Sequence, residues 1–292
     1  MGAQRSSGYG LRFGTVGSPL KTPKPGGTVT GIAYSRQLGL DALELAWVQS
    51  VRVSDETCAA IKAAAAAHDV ALSVHAPYYI NLNAQDARTL AASRERLLSA
   101  ARAGWKAGAT DIIFHPGSYH EQPPSQVYAH IRDQLKELIQ ILREEGVQVR
   151  LRPETTGKAA MFGGLEEVLA LSREVEGVAP CIDFAHLHAR TGDGRLNSYA
   201  EFADILRLVA AELGPPGLQE IHIHLSGIAY GPRGEKVHLA LDEADLRYRE
   251  LLQALIDFGV QGRLLCESPK MEDDALVLRQ TYMELAQVKV AS

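Results

Sequence analysis

Cysteine is scarce in this chain: Cys58, Cys181 and Cys266 are the three present, with no Cys-x-x-Cys pair. That spacing excludes a disulfide framework as the organising feature. Cys181 and Cys266 lie inside apolar strand-like runs, where buried structural thiols are expected. Long hydrophobic runs are missing too. No stretch reaches the roughly 18 apolar residues of a membrane span, and the N-terminal residues lack a signal-peptide core. Cytoplasmic residence is therefore the expectation. Basic residues are not in excess: the formal charge of −5 gives no global attraction to nucleic acid or to an anionic membrane. A nucleic-acid substrate would need a local basic patch, or metal ions to supply positive charge. Linkers and breaks in composition are also absent.

What remains is a 292-residue chain, 46% hydrophobic and 22% charged, able to bury a substantial core. Strand-length apolar runs alternate with longer segments of helical periodicity, punctuated by Gly, Pro or Asp. After a polar tail (residues 1–10, expected to be flexible), strands are predicted at 11–17, 42–48, 71–77, 111–117, 148–154, 178–186, 218–227 and 262–269. The segments between them read as helices, among them 28–39, one opening at Ser54-Asp55-Glu56, 124–146, 244–259 and a closing one at 271–287. Early acids such as Asp55 and Glu56 complement a helix dipole. Eight strands alternating with eight helices predict an α/β fold, a single (β/α)8 TIM barrel over residues 11–292.

Chemistry-bearing residues recur at the strand ends. They are His75 in SVHAPY, His115 in IIFHPGSY, Glu154 in LRPETTG, Asp183 and His186 in CIDFAH, His224 in IHIHLSG, and Glu267 in LLCESP. A histidine alone in a strand is usually a hydrogen-bonded core or surface residue, and either glutamate alone could be a solvated or ion-paired strand end. Their joint position changes the reading. A parallel barrel gathers its strand ends at one mouth, so these side chains should meet. Imidazoles and carboxylates converging in one pocket suit zinc or manganese ions. Asp183 and His186 add weight, because Asp-x-x-His lets one strand terminus present two ligands.

The segments HAPYYINL, FHPGSY, PETTG, CIDFAH, HLSG and CESP resemble the endonuclease IV family of apurinic/apyrimidinic endonucleases, within the xylose-isomerase-like barrels. The resemblance runs from about His75 to Pro269. It implies a hydrolase with two or three divalent ions, zinc or alternatively manganese, that cuts DNA 5′ to abasic sites in base excision repair. It also implies that His75 and His115 hold a first ion and that Glu154 bridges it to a second. Asp183, His224 and Glu267 would complete the second ion, and His186 and His238 would hold the third. Tyr78 and Tyr79 fall where the family inserts wedge residues into damaged double-stranded DNA. A plain pocket-lining role is the other reading of the two tyrosines.

The chain departs from the family pattern in two places. Where the family has an aspartate two residues before the histidine matching His238, this chain has Lys236 in GEKVH. Glu235 could serve as the missing acid, Lys236 could be carboxylated into an anionic ligand, or Lys236 could supply the charge of an absent third ion. In the last case it would stabilise the leaving oxygen beside Glu154, which could help orient the attacking water. The family's HLND is also His224-Leu225-Ser226-Gly227 here, without the acid. His222 shares the face of His224 by strand alternation and could be a supporting partner or an alternative ligand. Lys21, Lys24 and Arg52 could contact phosphates; His120, His188 and Arg190 lie near the same face without an assigned role.

Glu154, Asp183, His224 and Glu267 also form the single-metal set of the sugar isomerases and epimerases of this superfamily, with a small sugar as substrate. The additional histidines argue for the nuclease. A barrel that binds damaged DNA without cutting it is the third reading, favoured by the two departures. Nothing in the sequence signals an obligate protein partner.

Overall fold

The computed structural model describes residues 10–291. Residues 1–9 of the expected flexible tail lie outside the described residues. Eight parallel strands form the centre: β1 (Leu11–Val16), β2 (Ala42–Ala46), β3 (Ala71–His75), β4 (Asp111–Phe114), β5 (Arg150–Pro153), β6 (Cys181–Asp183), β7 (Ile221–Leu225) and β8 (Gly262–Cys266). Parallel ladders join β5 through β4, β3, β2, β1, β8 and β7 to β6. The parallel bridges Leu151–Val178 and Glu154–Cys181 then close the ring between β5 and β6. The result is a (β/α)8 barrel. Among the described residues no helix is long and apolar enough to cross a membrane.

Strand alternation sorts the side chains. Leu72 and Val74, Ile112 and Phe114, Ile182, Ile223 and Leu225, and Leu264 join the apolar layer beneath the helices. The residues between them face the barrel interior, where Ser73 and His222 bond Glu44 and where His75 and His224 face Glu154. That interior is more polar than the aliphatic layers usual in such barrels. The helices follow ordinary rules. Ser54 Oγ accepts the Thr57 N–H at 3.1 Å to cap the helix Asp55–His68, as the sequence suggests. The helix Pro124–Glu144 buries Val127, Ile131, Leu135, Leu138 and Leu142, one apolar stripe at helical spacing.

At the base of the barrel, Asp111 Oδ1 accepts from Arg150 Nε at 2.9 Å and Arg152 Nε at 2.5 Å, and Oδ2 lies 3.2 Å from Arg263 Nη2. Arg152, only 2% exposed, also donates to the carbonyls of Pro180 and Glu220 at 2.7 and 2.8 Å. Burial opposes the charge on Asp111, but the three guanidinium groups outweigh it and hold the carboxyl well below its ordinary range.

Several predicted boundaries need correction. The strands expected to end at 48, 77, 117 and 269 stop at Ala46, His75, Phe114 and Cys266, where the chain turns into the mouth loops. The strand expected over 178–186 shrinks to Cys181–Asp183, because Asp183 Oδ1 accepts the His186 N–H at 2.7 Å and starts a helix, Phe184–Arg190. The strand expected over 218–227 begins only at Ile221, after a helical turn at Pro215–Gln219. The helix expected over 244–259 is Tyr248–Asp257, preceded by a 3-10 turn at Leu241–Glu243. The expected eight helices are ten among the described residues. An antiparallel ribbon, Gly227–Gly231 against Gly234–Leu239, follows β7, and Gly117–Ser118 pairs with Met161–Phe162.

Candidate metal centre

Glu154 stands at the middle of the mouth, where its backbone N–H bonds Phe114 O at 3.0 Å and its residue bridges to Cys181. Its two carboxylate oxygens face different partners. Oε2 lies 3.3 Å from His75 Nε2 and 3.0 Å from His115 Nε2. Oε1 lies 3.1 Å from His224 Nδ1 and 3.4 Å from His186 Nδ1. His75 Nδ1 faces the carbonyl of Ala76 at 2.9 Å, which leaves Nε2 for the centre. The neighbouring groups overlap. His75, His115 and Glu154 form one; Glu154, Asp183, His224 and Glu267 a second; Asp183, His186, His238 and Glu267 a third.

Asp183 shows how local folding builds the site. One oxygen caps the helix beginning at Phe184, and the other, Oδ2, turns towards His186 Nδ1 at 3.3 Å. The Asp183 N–H is held by Thr155 Oγ1 at 2.9 Å. Glu267 enters from the end of β8, its N–H on Leu225 O at 3.0 Å, and faces His224 and His238 at 3.5 and 3.6 Å. Among the carboxylate oxygens at the mouth, Glu154 Oε2 and Asp183 Oδ2 are buried and have no partner in hydrogen-bond geometry. Such atoms are costly unless something compensates them, and a divalent cation held by these donors fits that need. Burial works against charge on Glu154, yet His224 and His115 hold its carboxyl well below the ordinary range. Burial pushes the Glu267 carboxyl up. Burial opposes protonation of His186, but Asp183, Glu154 and Glu235 raise it well above its ordinary value.

The ribbon resolves the position of Lys236. Its register pairs Ala229 with Val237 and Tyr230 with Glu235, so a bulge falls here and Lys236 is the extra residue. The bulge turns Glu235 to the face of His238: His186 Nε2 lies 3.2 Å from His238 Nε2 and 3.8 Å from Glu235 Oε2. Lys236 is exposed, with its amine beside Gly231 on the facing strand. Gly234, at φ +91°, has the carbonyl of Gly157 where a Cβ would stand, 2.3 Å away, so the ribbon's turn is pressed against the mouth loop.

The other singled-out residues divide. Tyr78 is 49% exposed, its ring 5.7 Å from and nearly parallel to His115 and 5.1 Å from His75. Burial pushes its hydroxyl up to about 12. Tyr79, 60% exposed, donates to Gln49 at 3.2 Å on the rim. Lys21 is paired with Asp273 at 2.6 Å, whereas Lys24 and Arg52 are exposed. His120 meets Asn81 at 2.8 Å, His188 is buried against Asp245 and the carbonyl of Arg195, and Arg190 clamps the carbonyls of Thr156, Lys158 and Met161. His222 turns from the mouth to Glu44 at 3.0 Å. Sequence reasoning passed over Glu44. The available signal was a lone acid inside ALELAWV, which strand parity sends to the barrel axis.

Residues 32–285 match a family described as xylose isomerase-like TIM barrel. An uncharacterized protein of Methanocaldococcus jannaschii is 38% identical over 275 residues, covering 94% of this chain and 98% of that protein. A probable endonuclease 4 of Streptomyces avermitilis is 28% identical over 245 residues, 78% of this chain and 76% of the relative. Among solved structures, endonuclease IV from Thermus thermophilus superposes with a TM-score of 0.71 at 19% identity, covering 95% of this chain and 99% of the other. A D-tagatose 3-epimerase-like protein does so with 0.70 at 18%, covering 96% and 100%. At such identities the likeness concerns the fold.

Proposed function

This chain belongs to the xylose isomerase-like TIM-barrel family, and from that premise we propose that it is a metal-dependent phosphodiesterase cutting double-stranded DNA 5′ to abasic sites, in base excision repair. One observation carries the reading. The two oxygens of Glu154 face two separate imidazole sets, His75 with His115 and His224 with His186. A bridging carboxylate needs that arrangement, and a one-ion isomerase has no use for His75 and His115.

His75, His115 and Glu154 would hold a first ion, and Glu154, Asp183, His224 and Glu267 a second. His186 and His238, with Asp183 and Glu235 beside them, would hold a third. Zinc is the first choice and manganese the alternative, since imidazole and carboxylate suit both. Bound there, such ions supply Lewis acidity to the scissile phosphate and lower the pKa of an attacking water. Glu154 would then orient that water from the floor of the mouth. Tyr78 and Tyr79 stand at the rim, where aromatic rings can fill the gap left by a nucleotide rotated out of the duplex. Lys236, exposed on the ribbon, is better suited to a DNA phosphate than to the leaving oxygen.

The test is a duplex oligonucleotide with one abasic analogue, incubated with zinc or manganese and with a chelator control. The expected result is chelator-sensitive incision 5′ to the lesion, lost in Glu154→Gln. Intact DNA together with turnover of a ketose sugar would establish the epimerase reading, for which Glu154, Asp183, His224 and Glu267 suffice. Tight binding of the abasic duplex without incision would leave a recognition protein.

A further inference from the structure

Beneath the metal-ligand layer the barrel axis carries a buried carboxylate that the proposed chemistry does not use. Glu44, in the middle of β2, is 0% exposed. Its Oε2 accepts the Ser73 hydroxyl at 2.7 Å and faces His222 Nε2 at 3.0 Å. Its Oε1 lies 3.0 Å from His224 Nε2, an ion-pair contact, and neither of those two atoms has a partner in hydrogen-bond geometry. The opposite ring nitrogen, His224 Nδ1, faces Glu154 at 3.1 Å and Glu267 at 3.5 Å. One imidazole is thus held between a carboxylate below and the ligand layer above.

An imidazole that binds a cation does so through an unprotonated nitrogen, and the partner of its other nitrogen decides which one that is. An ionised carboxylate only accepts hydrogen bonds. Facing Nε2, it favours the proton there and leaves Nδ1, on the side of Glu154 and Glu267, free for a cation. Ser73 and His222 occupy the other oxygen of Glu44, so the carboxylate cannot swing to a different partner. We propose that Glu44 is a positioning residue for the metal centre, fixing the tautomer and ring orientation of His224 so that Nδ1 serves the second ion. Ser73 and His222 hold Glu44 in turn. The inference rests on the reading of the mouth as a metal centre.

Glu44→Gln keeps the shape and removes the charge. Zinc affinity is measured by competition with a chromogenic chelator, and the His224 tautomer by nitrogen-15 NMR of the zinc-loaded protein. The expected result is one ion bound about 10–100-fold more weakly, the usual effect of removing such a partner, with His224 no longer a single Nε2–H tautomer. Ser73→Ala, which leaves the charge and removes one support, should weaken the same ion by less and guards against a Glu44→Gln protein that does not fold. Unchanged zinc affinity and tautomer in both variants, with only a lower melting temperature, would overturn the proposal and make Glu44 a packing residue. If wild-type protein bound no zinc or manganese, the metal reading itself would fall, which the same titration distinguishes.

Discussion

Glu154 and Glu235 make the sharpest demands on single residues. Glu235 lies 3.8 Å from His186 across the ribbon while the Lys236 amine lies beside Gly231, so their substitutions should separate. Glu235→Gln is expected to lose one zinc per chain by elemental analysis and Lys236→Ala none; the reverse result, or an intact mass showing a carboxylated Lys236, would give the site to the lysine. Protons compete with metal here in a defined direction. In the metal-free protein His186 and His224 are raised well above 6.5, His186 chiefly by Asp183 and His224 by the carboxylates of Glu44, Glu267 and Glu154, in each case against burial. A raised imidazole stabilises the folded state fully below its unfolded value and loses that contribution as pH rises through the folded one. His222, lowered to about 3 by burial, acts oppositely and costs stability as pH falls below 6.5. Melting temperatures of the chelator-treated protein should therefore decline on both sides of about 6.5 through these groups, and zinc should raise the alkaline side most. A flat metal-free profile would contradict that assignment.

The ribbon after β7 shows what an element adds that residue spacing hides. By spacing alone Lys236 occupies the position two before His238, and Glu235 is three before it. The ladder register makes Lys236 an insertion, so Glu235 regains the face of His238. No count of residues along the chain reveals a bulge, and the Gly-rich stretch around it reads as loop. Deleting Lys236 should restore plain alternation with Glu235 and His238 still on one face. Metal content is then expected to stay at the wild-type value, whereas loss of an ion would mean that the lysine or the bulge itself is needed. The helix at Phe184 was hidden for a related reason. CIDFAH continues an apolar run, and only the Asp183 cap on the His186 N–H converts strand into helix.

Across the whole molecule, the barrel was legible because each strand carries apolar residues on its outer face and turn residues after it. The candidate ligands at the mouth were legible because parallel topology gathers strand ends. The polar axis was not. Glu44 and His222 are far apart in the chain and meet only across the curved ring, and Asp111 and Arg152 meet on the neighbouring strands β4 and β5, 41 residues apart. Asp111 balances three guanidinium groups there, so Asp111→Asn should leave buried positive charge unpaired. A loss of roughly 3–5 kcal/mol is expected from the denaturation midpoint, and a change under 1 kcal/mol would show that solvent already screens the cluster.

The central claim is a centre of several ions around one bridging carboxylate. Its most direct measurement is the number of zinc ions retained per chain after loading and desalting, read by elemental analysis for the wild type and for His115→Ala. Two or three ions in the wild type, with one fewer in the variant, is the predicted result. A single ion, unaffected by His115→Ala, would contradict it and leave the one-metal chemistry of a sugar epimerase.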